Sequence, residues 1–203
     1  HVVGIISLFL FIVSLSIVLT INLTPLYAFD IDYLKISQNV GLSKETLMEN
    51  YRVLLNYLNL PWITELNFPN FPSSESGLFH FYEVKRLFIL DYVIAMITAV
   101  SSFFYLRYKK KNKLFWKLVR PFQVAIAVPF VVLFMIAVSF DQLFVAFHKV
   151  FFNNDAWLFN PSTDPIILAL PETFFMHCFI LAFVLIELQI IFGYFYTKRK
   201  AFH

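Results

Sequence analysis

The chain has 203 residues, of which 60% are hydrophobic, 20% aromatic and only 14% charged, and its mean hydropathy is +0.72. A soluble domain carries about a quarter charged residues, so the composition excludes one and points to an integral membrane protein. The formal net charge of +3 comes from Lys/Arg runs beside apolar segments, which reads as a topology signal and gives no support to a nucleic-acid partner.

A helix needs about 20 apolar residues to cross the hydrocarbon. Four segments qualify: roughly Val2 to Leu23, Val84 to Tyr105, Phe122 to Phe140 and Thr173 to Tyr196. The first has a longer apolar run than a signal-peptide core and no small-residue cleavage site before Thr24-Pro25, so it is expected to be a retained helix. The terminal residues His1 and His203 are given no functional weight. In the segment after the first span, Ser43 can cap a helix over Lys44 to Asn59 that Pro61 ends. Leu47, Tyr51, Leu54 and Leu58 then line one face, packing on a second outer loop or lying in lipid headgroups. Beyond Pro61, Trp62, Ile63, Leu66, Phe68 and Phe71 are broken by Pro69 and Pro72, which suits strand or irregular structure.

Asp91 and Glu187 fall inside apolar spans and should face the bundle interior, as pairing or registry residues. A basic loop over about 106–120 holds Arg107, Lys109, Lys110, Lys111, Lys113, Lys117 and Arg120, and Lys198, Arg199 and Lys200 follow the fourth span. Positive loops stay in the cytoplasm, so both termini are expected inside. Segments 24–83 and 141–171 then form a small outer cap on a single four-helix domain spanning 1–203. Pro129, within the third span, is expected to kink it. The lone Cys178 permits no internal disulfide, and an apolar helix suits it to packing more than to nucleophilic chemistry.

Residues 144 to 175, FVAFHKVFFNNDAWLFNPSTDPIILALPETFF, are unlike an ordinary interhelical loop. They keep returning to Phe and Trp while presenting His148, Asp164 and Glu172. Upstream, SSESGLFHFYEVKR sets His80 and Glu83 before the second span. A lone interfacial histidine is usually a satisfied side chain. Two at one depth, flanked by carboxylates, suit proton transfer near neutrality. His177, inside the fourth span, reads as structural.

The stretch FHKVFFNNDAWLFNPSTDPIILALPETFF, together with the H-x-x-E-V-K of His80 to Lys85, resembles the bacterial lipoprotein intramolecular transacylase family. These are small four-helix membrane proteins with an extracellular cap. Glu83 departs from the Asp common at that place in the family but keeps a carboxylate. The resemblance implies an all-α bacterial cell-membrane protein with its active site on the extracellular face. It also implies transfer of the sn-2 acyl chain of a diacylglyceryl lipoprotein to the amino group of its own N-terminal cysteine, with His80 and His148 as the catalytic pair. Nucleophile and electrophile then share one substrate, so no Ser or Cys nucleophile, metal or cofactor is called for. Phe144, Phe147, Phe151, Phe152, Trp157, Phe174 and Phe175 are candidate pocket walls or an interfacial belt. Asn153, Asn154 and Asn160 are candidate donors to a developing oxyanion or turn residues around Pro161. Glu83, Asp164 and Glu172 are candidates to orient a histidine or bind the substrate's ammonium group. Two other classes stay open on the residues alone. A metal-dependent membrane hydrolase would use His80, His148 and a carboxylate, although no HExxH spacing is present. A non-enzymatic lipid-binding subunit would need only the aromatic pocket. Membrane lipid is the other expected partner, and oligomeric state is not legible.

Overall fold

The computed structural model describes residues 1–202, and the regular structure among them is helical throughout; His203 lies outside the described residues. In chain order the helices are α1 (Val2–Ile21), α2 (Thr24–Tyr33), α3 (Ile36–Val40), α4 (Lys44–Asn59), α5 (Glu75–Lys111), α6 (Trp116–Ala125), α7 (Ala127–Phe151), α8 (Ile166–Ala169) and α9 (Glu172–Phe202). Four stretches are long and apolar enough to cross a membrane: α1, α5, α6 with α7, and α9. With 37 residues, α5 is about 56 Å long, against about 30 Å of hydrocarbon. The span read as Val84 to Tyr105 is therefore only its apolar middle. The residues from Glu75 to Glu83 belong to the same helix.

The chain forms two compact units. The first comprises His1–Thr20, Asp91–Ser139 and the chain from Phe179. Its core is Leu8, Ile12, Phe115, Leu118, Phe122, Ile186 and Ile190. Lipid offers buried polar groups no partners, so they bond to one another. Ser7 bonds Ser101, the Gln189 amide donates to Ser16 Oγ at 2.7 Å, and Asp91 bonds Ser14. Glu187 is also buried, and neither of its carboxylate oxygens has a hydrogen-bond partner among the described residues. Pro129 cannot donate to the carbonyl one turn back. The ladder accordingly breaks at Ile126, between α6 and α7, yet Ile126 keeps helical angles (φ −54°, ψ −35°). The residue that leaves helical geometry is Ser139 (φ −153°, ψ 54°), so the kink falls well beyond the proline.

The second unit comprises Ile21–Leu90 and Phe140–Cys178. Its α4 spans the range the sequence predicts, and Ser43 Oγ accepts the Thr46 N–H at 3.2 Å as the N-cap. The stripe Leu47, Tyr51, Leu54 and Leu58 is buried and packs with Tyr27, Ile31, Ile166, Leu170 and Phe174. It therefore meets protein, not headgroups, and each aliphatic side chain contributes about 1.5–3 kcal/mol. Tyr27 also donates its hydroxyl to the Ala169 carbonyl at 2.9 Å. The segment after Pro61 is irregular. It is fixed on one side by Asn50, which bonds the Asn70 amide oxygen at 2.8 Å and the Asn70 N–H at 3.2 Å. On the other, buried Lys85 donates to the carbonyls of Leu60 (3.0 Å) and Ile63 and lies over the Tyr57 ring. Cys178 is half-buried against the same core.

Candidate active site

His80 precedes the apolar stretch of α5, and His148 follows that of the third span, in the last turn of α7. Both belong to the second unit and both are buried, at 5% and 8% exposure. Their ring centroids are 5.7 Å apart with planes at 33°. Aromatic side chains enclose the pair. Phe152 lies 4.7 Å from His80 and 5.5 Å from His148, touching both. Phe159 and Phe81 close the side of His80, and Phe144, Phe147 and Trp157 close that of His148.

This setting determines which forms the imidazoles take. Burial, with His148 beside it, pulls His80 down to about 4; an imidazolium has no counter-charge among those rings. His148 is lowered for the same reason, although a bond to the Phe144 carbonyl opposes the shift. That bond is 2.7 Å long from Nδ1. A carbonyl only accepts, so Nδ1 carries the hydrogen and Nε2 is left as the basic nitrogen. His80 Nδ1 is buried with no hydrogen-bond partner among the described residues. Two neutral imidazoles in a dry enclosure can take a proton from one group and return it to another.

The remaining candidates divide by what they touch. Glu83, one turn beyond His80, accepts from the Asn154 amide at 3.0 and 3.1 Å. Asn154 Oδ1 in turn accepts the Ala156 N–H at 2.9 Å, which sets the turn that leads to Trp157. Asp164 is buried and accepts from the Ser74 N–H and Ser74 Oγ, both at 2.8 Å, and from Thr163 Oγ1 at 2.7 Å. Burial would raise its carboxyl, but these hydrogen bonds outweigh it and hold the group below the usual range. Ser74 Oγ also accepts the Gly77 N–H at 3.0 Å. Asp164 thus anchors the residue that caps the helix bearing His80.

Asn160 shapes the preceding turn, its Oδ1 accepting the Ser162 N–H at 3.0 Å. Asn153 is exposed, and Glu172 is exposed beside Asp141. His177 pairs with fully buried Asp30 at 2.8 Å. Among the described residues no three His, Cys, Asp or Glu side chains converge as a metal site. Sequence reasoning passed over Ser74, Phe159 and the Asp30 partner of His177. Of these, Ser74 had a legible signal: a serine preceding an acidic first helical residue.

A sequence profile of the family described as lipoprotein intramolecular transacylase Lit matches residues 2–175. The in meso structure of the membrane integral lipoprotein intramolecular transacylase Lit from Bacillus cereus superposes with a TM-score of 0.94 at 31% identity, over 98% of this chain and 93% of that one. Two structures of that protein with one histidine changed, to arginine in one and alanine in the other, superpose at 0.85, also at 31% identity. They cover 98% of this chain and 89% and 90% of theirs. No curated protein sequence matches the chain.

Proposed function

Because the chain belongs to the Lit family of lipoprotein intramolecular transacylases, we propose that it moves the sn-2 acyl chain of a diacylglyceryl lipoprotein onto the α-amino group of that lipoprotein's N-terminal cysteine, with His80 and His148 as acid–base catalysts. The observation that carries the assignment of residues is the histidine pair, 5.7 Å between centroids inside one aromatic enclosure.

The substrate amine must be neutral to attack the ester carbonyl, and it gives up a proton as the C–N bond forms. His148 Nε2, free because Nδ1 is bonded to Phe144, takes that proton. The glyceryl oxygen needs one proton as the C–O bond breaks, and the imidazolium returns it, so the reaction is proton-neutral overall. His80 lies beside the same space and stabilises the transient charge. Closing the substrate on itself makes a ring of roughly eight atoms, and rigid Phe and Trp walls offset the entropy of that closure. The product is a lyso-form lipoprotein that keeps one chain on its glyceryl group. By the positive-inside rule the basic residues of 106–120, which the structure divides between the end of α5, a short turn and the start of α6, face the cytoplasm, and the histidine pair then works at the outer face of the bacterial cell membrane.

The test is mass spectrometry of a defined diacylglyceryl lipopeptide incubated with the purified protein in lipid. Transacylation leaves the total mass unchanged, so fragmentation must locate the acyl chain on the cysteine nitrogen. His80→Ala and His148→Ala should each lower turnover by about 10²–10⁴-fold while the protein still folds. Full activity in either variant refutes the pair, and loss of an acyl mass from the substrate refutes transfer in favour of hydrolysis.

A further inference from the structure

The first unit holds a groove of about 770 Å³ whose lining includes neither histidine. On α5 it is lined by Phe103, Leu106, Arg107 and Lys110. Their spacing of three and four puts them on one face, which passes from aromatic to cationic within two turns. On α9 the lining runs from Leu185 to Thr197, about 18 Å of helix. Half of the hydrocarbon core is about 15 Å, so the slot has the length of a single leaflet. Of its other polar lining groups, Gln189 donates to Ser16 and Thr197 to the Gly193 carbonyl. No Asp or Glu lines the groove, and neither Arg107 nor Lys110 forms an ion pair among the described residues.

An apolar slot of one-leaflet length with two cations at one end has the polarity of an acidic amphiphile. We propose that this groove is a binding site for an anionic phospholipid, its phosphate on Arg107 and Lys110 and an acyl chain along Leu8, Ile12 and Leu188. The Arg guanidinium offers a phosphate its two-pronged donor geometry, and Lys adds a point charge. A zwitterionic lipid presents the same phosphate but carries its own compensating cation, so it gains less. In the orientation proposed above this lipid comes from the inner leaflet, where acidic headgroups meet basic pockets between helices. It is therefore a structural ligand separate from the lipoprotein substrate.

The protein, purified in detergent and given equal phosphatidylglycerol and phosphatidylcholine, is examined by native mass spectrometry. Phosphatidylglycerol should be retained preferentially. Arg107→Gln with Lys110→Gln should lower that retention roughly 30-fold, which is about 2 kcal/mol for two basic side chains. Lys198→Gln with Lys200→Gln, an equal loss of charge outside the groove, should retain it. Leu188→Trp, which fills the slot from an exposed position, should weaken retention while leaving both cations in place. Equal retention of the two lipids, or an unaffected Arg107/Lys110 variant, overturns the proposal. Displacement by millimolar inorganic phosphate would make the site one for a free anion and overturn it too. So would a lipid-free dimer that the double variant abolishes, since the groove would then belong to a second copy.

Discussion

Gly77 stands in the first turn of α5, where helix propensity and packing make opposite demands. In an unconstrained helix, Gly→Ala stabilises by about 1 kcal/mol. Here a methyl on Gly77 would collide with Asp164 Oδ1 and come within 3.0 Å of Phe159 Cε1. The carboxylate cannot yield freely, because Ser74 and Thr163 hold it through three hydrogen bonds of 2.7–2.8 Å. Overpacking costs about 1–3 kcal/mol, and losing one charge-assisted bond about 1.5–3. Gly77→Ala should therefore destabilise by a net amount of about 1.5–5 kcal/mol, and turnover should fall as the cap on the His80 helix loosens. Unfolding by SDS titration in mixed micelles reads the stability, and acyl transfer to the lipopeptide amine reads the activity. On an Asp164→Ala background the worse collision is gone and only the tight Phe159 contact remains, so the same substitution should cost less than about 1 kcal/mol. A Gly77→Ala protein as stable as its parent, or an equal cost in both backgrounds, would refute the reasoning.

Further outcomes follow from the same geometry. His80 sits near 4 in the folded chain against an ordinary 6.5. Between those values the unfolded chain binds a proton that the native one does not, so stability is full above pH 6.5 and falls as pH drops toward 4. His80→Gln should remove most of that dependence in unfolding measured at pH 7.5 and 5. Asn154→Leu, which deprives Glu83 of its amide donor, should cost about 1–2 kcal/mol and speed proteolysis between residues 153 and 160. Glu83→Gln, which keeps an acceptor oxygen, should be milder in the same assay. Lys85→Met takes the ammonium donor from the Leu60 and Ile63 carbonyls, of which Leu60 keeps the Ile63 N–H at 3.1 Å. It should destabilise by about 2–3 kcal/mol and expose Trp62 fluorescence further to aqueous quenchers.

What the sequence made legible was set by local rules. Hydropathy found the spans, and Ser43, Pro61 and a three-four apolar stripe delimited α4. The two histidines stood out because ionisable groups were rare among so many aromatics. What escaped was decided by contacts distant in sequence. Helices α2 and α3 carry only an i, i+4 apolar pair each, Tyr27 with Ile31 and Ile36 with Val40, too short a pattern to stand out, and α2 is held by its pair within a core shared with α4 and α8. In the sequence Lys85 reads only as part of a motif, whereas its partners lie more than twenty residues upstream. Asp164 was seen as a carboxylate near a histidine; its bonds to Ser74 span ninety residues. Pro129 carried the conventional signal for a kink, but Ile126 keeps helical angles and the irregularity falls at Ser139.

The solitary thiol has a practical consequence. Cys178 is the chain's one cysteine, half-buried against the second unit's core. A thiol reagent therefore reacts at a rate reduced by the fraction of time that packing is shut, and local opening becomes measurable as a labelling clock. No cysteine need be added or removed to build it. Run with and without lipopeptide, the same clock would report whether substrate tightens the unit that holds the histidines.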